Sequence, residues 1–212
     1  MDILILIVAF ALTITIHEMS HAWMADRLGD PTARLAGRLS FNPLVHYDPI
    51  GSTLLIITVI LTSLGTLPFP FGWAKPVPID PYNLKNPKKD SALISLAGPF
   101  SNILLASVLS LVARVFAGGI IFNLLYPVIL LNIALAVFNL IPIHPLDGGK
   151  ILVGLLPDPE ARKVDLFLGR YGTLLLFFVI FPTFGGVSLV SIIIDPIMSF
   201  LIHLLLPGAA FI

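Results

Sequence analysis

Cysteine is absent from this 212-residue chain. No disulfide can staple it and no thiolate can hold a metal, so any metal site must draw on His, Asp or Glu. Charge is scarce too. Asp, Glu, Lys and Arg make up 11% of the residues, against about 25% in soluble domains. Glutamate occurs only as Glu18 and Glu160. The net charge is zero, so no basic footprint points to a nucleic-acid partner. What fills the chain is apolar: 57% of the residues are hydrophobic. That composition marks an all-α polytopic membrane protein, with the lipid bilayer as its partner. The length predicts a single membrane-embedded domain over 1–212 with no appended soluble domain. Met1-Asp2 opens the chain without a basic n-region or a small-residue cleavage site. The first apolar run is therefore expected to be a retained span rather than a signal peptide.

Apolar runs occupy Ile3–Ala25, Ile50–Thr66, Ala92–Phe116, Ile120–Ile141, Gly172–Phe184 and Val187–Leu206. A span needs about 20 residues, which four of the six supply outright. Five to six transmembrane helices are expected. The cations fall in clusters: Arg27, Arg34 and Arg38; Lys75, Lys85, Lys88 and Lys89; Lys150, Arg162, Lys163 and Arg170. Arg114 stands apart. The positive-inside rule places all three clusters in the cytoplasm. Were Ile50–Thr66 to cross fully, its flanking clusters would lie on opposite sides. It is therefore expected to be re-entrant, returning through Leu67–Trp73, whose prolines and glycine suit irregular backbone. A true span with a compensating crossing elsewhere is the alternative. Arg34–Phe41 alternates loosely, as the strand of a short β-hairpin would.

Against this background His17-Glu18-Met19-Ser20-His21 stands out. The pattern is H-E-x-x-H. Residues i and i+4 share a helix face, so two imidazoles can grip one Zn²⁺, with Glu18 beside them to take a proton from a bound water. At this composition the pattern should arise by chance in about one chain in a thousand. Ionisable groups inside a spanning helix are costly and are functional by default.

A catalytic zinc usually has three protein ligands and an open position. The candidates for the third are Asp147, Asp195, Glu160 and His144. His17 lies 14 residues past Ile3, about 21 Å along a helix. That is about a third of the way into a 30 Å core from the cytoplasmic face. Asp147 approaches from the same face, after Pro142 and Pro145 break the fourth segment, and Gly148 and Gly149 would let the backbone come close to the metal. Depth favours Asp147, although Asp-Gly is also a common turn dipeptide. His144 and Asp195 remain alternatives; Glu160 reads as a solvated loop residue.

These residues resemble the site-2 protease family of intramembrane zinc metalloproteases. The resemblance is carried by His17-Glu18-x-x-His21, by Gly98-Pro99-Phe100-Ser101-Asn102, by Asn139-x-x-Pro142 with Leu146-Asp147-Gly148, and by Gly72-Trp73-Ala74-Lys75-Pro76-Val77-Pro78. It covers about residues 3–155, the catalytic core; the helices at about 170–206 would be accessory. It implies that His17, His21 and Asp147 bind one Zn²⁺ per chain and that Glu18 is the base. It also implies a three-helix core, formed by Ile3–Ala25, Ala92–Phe116 and Ile120–Ile141, and a site on the cytoplasmic side of a multi-pass cell-membrane protein. On the same resemblance Asn139 and Asn102 are expected to bind the unwound substrate backbone, though an interhelical contact is the other reading of such asparagines. Many members carry PDZ or CBS modules, and this length leaves room for neither, so none is expected.

The expected activity is hydrolysis of peptide bonds in or near transmembrane segments of membrane protein substrates. An extended substrate would add to a strand edge, for which Ala33–Asp48 is the candidate. A membrane metal-ion transporter using the same His/His/Asp set is the alternative, but no internal repeat of the transporter kind is visible.

Overall fold

The structure is a computed structural model, and it describes residues 3–66, 71–116, 119–180 and 189–206. The described residues form helices and loops with no strand. In chain order the helices are α1 (Ile3–Leu28), α2 (Thr32–Leu35), α3 (Gly51–Ser63), α4 (Pro87–Val115), α5 (Ile120–Asn139), α6 (Asp147–Leu155), α7 (Asp158–Ile180) and α8 (Leu189–Leu205). Short 3₁₀ turns occur at Pro43–His46 and Pro81–Asn83.

Three of these helices, α1, α4 and α5, are long and apolar enough to cross a membrane. They pack against one another as the centre of the molecule. The contacts are made by small residues: Ala9 and Thr13 of α1, Gly98, Ala106, Ser110 and Ala113 of α4, and Ala136 of α5 are all buried. In lipid there is no hydrophobic drive between helices, so close approach through small side chains takes its place. Larger residues point the other way. Leu93, Leu96, Phe100, Leu104, Val108, Leu111 and Val115 recur every three or four positions on α4 and are exposed, as an outward apolar stripe facing lipid would be. On the other side, Ala106 and Ala113 join Ile129, Ile133, Val137 and α8's Ile194 and Ile202 in one buried cluster.

The remaining elements differ from the sequence-based expectation in informative ways. Of the five to six expected spans, three are matched by such helices among the described residues. α3 is apolar but has 13 residues, about 20 Å of helix. The chain that follows it returns to its start: Trp73 N–H donates to Gly51 O at 3.3 Å, and Thr58 Oγ1 bridges both the N–H and the carbonyl of Phe71 at 2.9 and 2.7 Å. The described part of the run expected at Gly172–Phe184, residues 172–180, forms the end of the longer α7. Its charged first turns, with Asp158 and Glu160, read as loop because they are solvated rather than packed. The turn expected at Pro182–Gly186 lies outside the described residues. α8 continues through Pro196.

The hairpin expected at Arg34–Phe41 is not formed. Arg34 and Leu35 finish α2, Gly37 turns the chain at φ +70°, and the segment then folds inward around Arg38. Its neighbour in space is the 74–78 stretch, where Pro76 and Pro78 lack the N–H groups that a ladder needs. Among the described residues no backbone bond joins the two: the Arg38 side chain donates to the Lys75 and Pro76 carbonyls, and Lys75 N–H goes instead to His46 O at 2.9 Å, beyond the segment. Arg114, the cation outside the clusters, donates to the carbonyls of Leu204 and Leu205 at 2.9–3.1 Å and so caps the end of α8.

Beyond α1 the chain is tied down by Asp30, which is fully buried. Its carboxylate accepts from Thr32 N–H (3.1 Å), Thr32 Oγ1 (2.5 Å), Asp80 N–H (2.8 Å) and Asn83 Nδ2 (2.9 Å). Burial alone would raise its pKa; these four donors outweigh it and hold the carboxyl below its usual value. A depressed folded pKa stabilises above the unfolded value, and the gain is lost as pH falls through the folded pKa. Asp30→Asn is therefore expected to destabilise the protein by about 2–3 kcal/mol at neutral pH. Thermal melts in detergent should show the gap to wild type closing below about pH 4. A gap independent of pH would contradict the account.

Candidate metal centre

His17 and His21 stand one turn apart on the buried face of α1. α4 meets that face at Gly98, where a Cβ would run into both imidazoles. Glycine is thus required for the two helices to close. Asp147 opens α6, with its carboxylate in the first turn, where the helix dipole favours negative charge. Its Oδ2 lies 3.2 Å from His17 Nε2 and 3.3 Å from His21 Nε2.

The chemical character of these three atoms follows from the hydrogen bonds behind them. His21 Nδ1 lies 2.7 Å from Ile94 O. A carbonyl only accepts, so Nδ1 carries the proton and Nε2 presents a lone pair. For His17 the same conclusion travels through two asparagines. Asn132 Nδ2 donates to Val128 O at 2.8 Å and to Thr13 Oγ1 at 2.9 Å. Its Oδ1 must then face Asn102, whose Nδ2 donates to it at 2.8 Å. That turns Asn102 Oδ1 toward His17 Nδ1, 2.8 Å away, which must donate. Both Nε2 atoms are therefore bare acceptors, aimed at a carboxylate oxygen that is buried without a hydrogen-bond partner. Three electron-rich atoms at this spacing repel one another unless a cation lies between them. Ligands 2.0–2.1 Å from a tetrahedral zinc stand about 3.3 Å apart, so the donor set and its spacing fit Zn²⁺.

Among the described residues this is the one group of three His, Asp or Glu side chains that could share a metal. The alternatives lie elsewhere. His144 pairs with Asp165 of α7 at 3.0 Å, and Asp195 is exposed on α8. Glu160 sits in the first turn of α7. Gly148 and Gly149, expected to bring the backbone to the metal, serve another end. A Cβ on Gly148 would strike the carbonyls of Leu140 and Ile141, and one on Gly149 would strike His144. The glycines let α6 fold back on the end of α5. α6 is pressed in turn on α4, where Gly154 meets Ala92 and Lys88 Nζ reaches Leu156 O at 2.8 Å.

Glu18 is half-buried and takes part in no hydrogen bond or ion pair among the described residues. On α1 it lies about 100° round from His17 and so faces away from α4. Toward that side lie Arg38 and His46, both buried. Arg38 donates to the carbonyls of Lys75 and Pro76, and its Nη2 reaches His46 Nδ1 at 3.4 Å. Burial pushes the His46 imidazole below its ordinary pKa and the Arg38 guanidinium adds to this, while the Ser40 carbonyl and Glu18 oppose it. In the sequence Arg38 marks only topology, and no local pattern marks His46, Asn132 or Thr13. Asn102, expected at the substrate, is wholly buried with its amide committed to His17 and Asn132. Asn139 donates to Leu135 O on its own helix at 2.9 Å.

Comparison with known proteins bears on what such a site does. YwhC of Bacillus subtilis is 34% identical over 190 residues, covering 84% of this chain and 80% of that protein. The chain belongs to peptidase family M50. Residues 113–180 match that family directly. Rip2 of Mycolicibacterium smegmatis is 30% identical over 82% of this M50 chain, which spans 65% of that protein's length. Zinc metalloprotease MJ0392 of Methanocaldococcus jannaschii is 36% identical over 91 residues, covering 41% of this chain and 27% of its own. The words zinc metalloprotease stand in all three names. No solved structure matches the chain. The directly matched region of this M50 chain contains Asp147 and α5 to α7; the H-E-x-x-H helix lies before it.

Asp147→Ala is expected to abolish tight zinc binding. Asn102→Ala, which leaves all three donor atoms in place, is expected to weaken it about 10–100-fold by freeing the His17 ring. Chelator competition with metal analysis measures both. Unchanged affinity in Asn102→Ala would break the chain of hydrogen bonds argued above.

Proposed function

We propose that this chain is an intramembrane protease, hydrolysing peptide bonds in or near transmembrane segments of membrane protein substrates with the site open to the cytoplasmic side. As a member of family M50 it is a zinc metalloprotease. The observation that carries the intramembrane reading is the place of the donor set: two imidazole lone pairs and an orphaned carboxylate oxygen converge on a helix apolar enough to cross the bilayer. In this reading His17, His21 and Asp147 hold one zinc. When bound, the metal lowers the pKa of water to about 7 and polarises the scissile carbonyl. Glu18, uncommitted and on the adjoining face, takes the proton at its carboxylate and passes it to the leaving amine. Asn102 and Asn132 keep His17 in the required tautomer. Asn139 remains a candidate for the substrate backbone, provided its amide leaves the Leu135 carbonyl.

The topology belongs to the same reading. α1, α4 and α5 are crossings, α3 dips in and returns, and α7 and α8 complete a multi-pass chain of five to six spans in one domain. Two features favour the return of α3. It falls short of a roughly 30 Å core, and the residues after it come back to its own start. All basic residues except Arg114 then lie on the cytoplasmic side, and Arg114 has a local partner in the end of α8.

Glu18→Gln should retain zinc and lose cleavage of single-span substrates by about 10²–10⁴-fold. Turnover equal to wild type would remove Glu18 from the mechanism. Zinc uptake by vesicles without any proteolysis would favour transport instead. Topology has its own test, made easy by the missing cysteines. Single cysteines at Ser40, Asn86 and Arg162 should resist an impermeant reagent in intact cells, and one at Gly119 should react. Labelling at Asn86 from outside would mean that α3 crosses the membrane.

A further inference from the structure

A cavity of about 200 Å³ opens between α1, α3 and the turn after Asn42. Its walls include Ala11, Ile14, Thr15, His46, Leu55 and Val59. We infer that this cavity is the subsite for one large apolar side chain of the substrate segment beside the scissile bond. The inference rests on the protease reading above and goes further by assigning the specificity-determining wall.

Helix geometry supplies the first argument. Residues 11, 14 and 15 share one face of α1, and the next position on that face is 18. The cavity wall therefore runs straight on to Glu18. The histidines face α4 instead, where there is no room: Gly98 already closes on both rings. A substrate that is to reach both the metal and Glu18 must lie on the cavity's side of α1.

The polar end supplies the second. His46 lines the cavity, its Nε2 donates to Ser40 O at 2.9 Å, and its Nδ1 receives Arg38 Nη2. Arg38 backs His46 without lining the cavity, and its Nε is buried with no hydrogen-bond partner. An unpaired buried donor carries a desolvation cost and calls for an acceptor. A substrate segment unwound for cleavage brings backbone carbonyls that lack partners in the membrane. Lipid acyl chains bring none at this depth, so the substrate is the better match for a site that is apolar along its walls, with His46 at one end and the buried Arg38 behind it.

Size supplies the third. Pockets for whole drug-sized ligands run to about 300–1,000 Å³. The present volume suits a single Leu- or Phe-sized side chain, not a helix.

The test uses full-length zinc-loaded protein and single-span substrates that differ at one residue near the mapped cleavage site, Phe against Ala. Wild type should favour Phe. Ala11→Leu, which narrows the cavity, should shift the Phe-to-Ala ratio of kcat/KM at least tenfold toward Ala. Leu55→Ala, which widens it, should not. An unchanged ratio in Ala11→Leu, or equal loss on both substrates, overturns the subsite. A second measurement needs no turnover. In a Glu18→Gln background, and with a mild added oxidant to accept the two electrons, Leu55→Cys should form a disulfide with a single-span Leu/Ala peptide bearing one cysteine at the subsite position. Leu174→Cys, on the exposed side of α7, should not. Cross-linking equal at both positions, or absent at Leu55, overturns the subsite whatever the peptidase assay shows. Failure of wild type to cleave any substrate, with Leu55 cross-linking intact, counts instead against the protease reading.

Discussion

Everything in this structure is arranged around an electrostatic repulsion. Two imidazole nitrogens and one carboxylate oxygen, all acceptors, converge in a buried place, with the oxygen 3.2 and 3.3 Å from the two nitrogens. Left alone they would swing away or take up protons. They cannot swing, because Asn102 and the Ile94 carbonyl hold the far side of each ring. The direction of those bonds is fixed as far away as Val128, through Asn132 and Asn102. A divalent cation turns the same arrangement from strained to favourable. In the proposed reading the metal sits at the junction of α1, α4 and α6, where three helices meet.

The fold reads as the means of building that junction in lipid. Helices there are not driven together by water, so small residues decide where they touch. Gly98 lets α4 reach the histidines, Gly154 lets α6 lie on α4, and Gly148 with Gly149 lets the chain reverse after α5. Each contact serves the position of a donor atom. The adjoining face of α1 looks onto α3 and the turn after Asn42. There Glu18, the buried Arg38–His46 pair and the apolar cavity meet, so that in the proposed reading binding and proton transfer are separated from metal holding by about 100° of one helix.

How much of this could be read from the sequence depended on range. His17, Glu18 and His21 declare themselves because their partners are one turn apart. Asp147 could be placed by depth and charge, since the positive-inside pattern is global. The three central helices were visible as long apolar runs. What could not be read were contacts between lone polar residues in distant apolar segments. Asn132 bonds Thr13 across 119 positions, and nothing local marks either. Arg38 looked like a solvated cation because sequence does not reveal that two backbone carbonyls and a histidine enclose it. The loose alternation at Arg34–Phe41 promised a strand, but proline-bearing neighbours deny it a partner. The charged start of α7 hid half a helix.

The central claim is that His17, His21 and Asp147 hold the zinc. The most direct measurement is X-ray absorption at the zinc edge of the purified, intact chain. One zinc per chain is expected, with two imidazole nitrogens at about 2.0–2.1 Å and oxygen ligands at about 2.0–2.2 Å completing the shell. A shell of three imidazoles, or one of oxygens alone, would contradict the account.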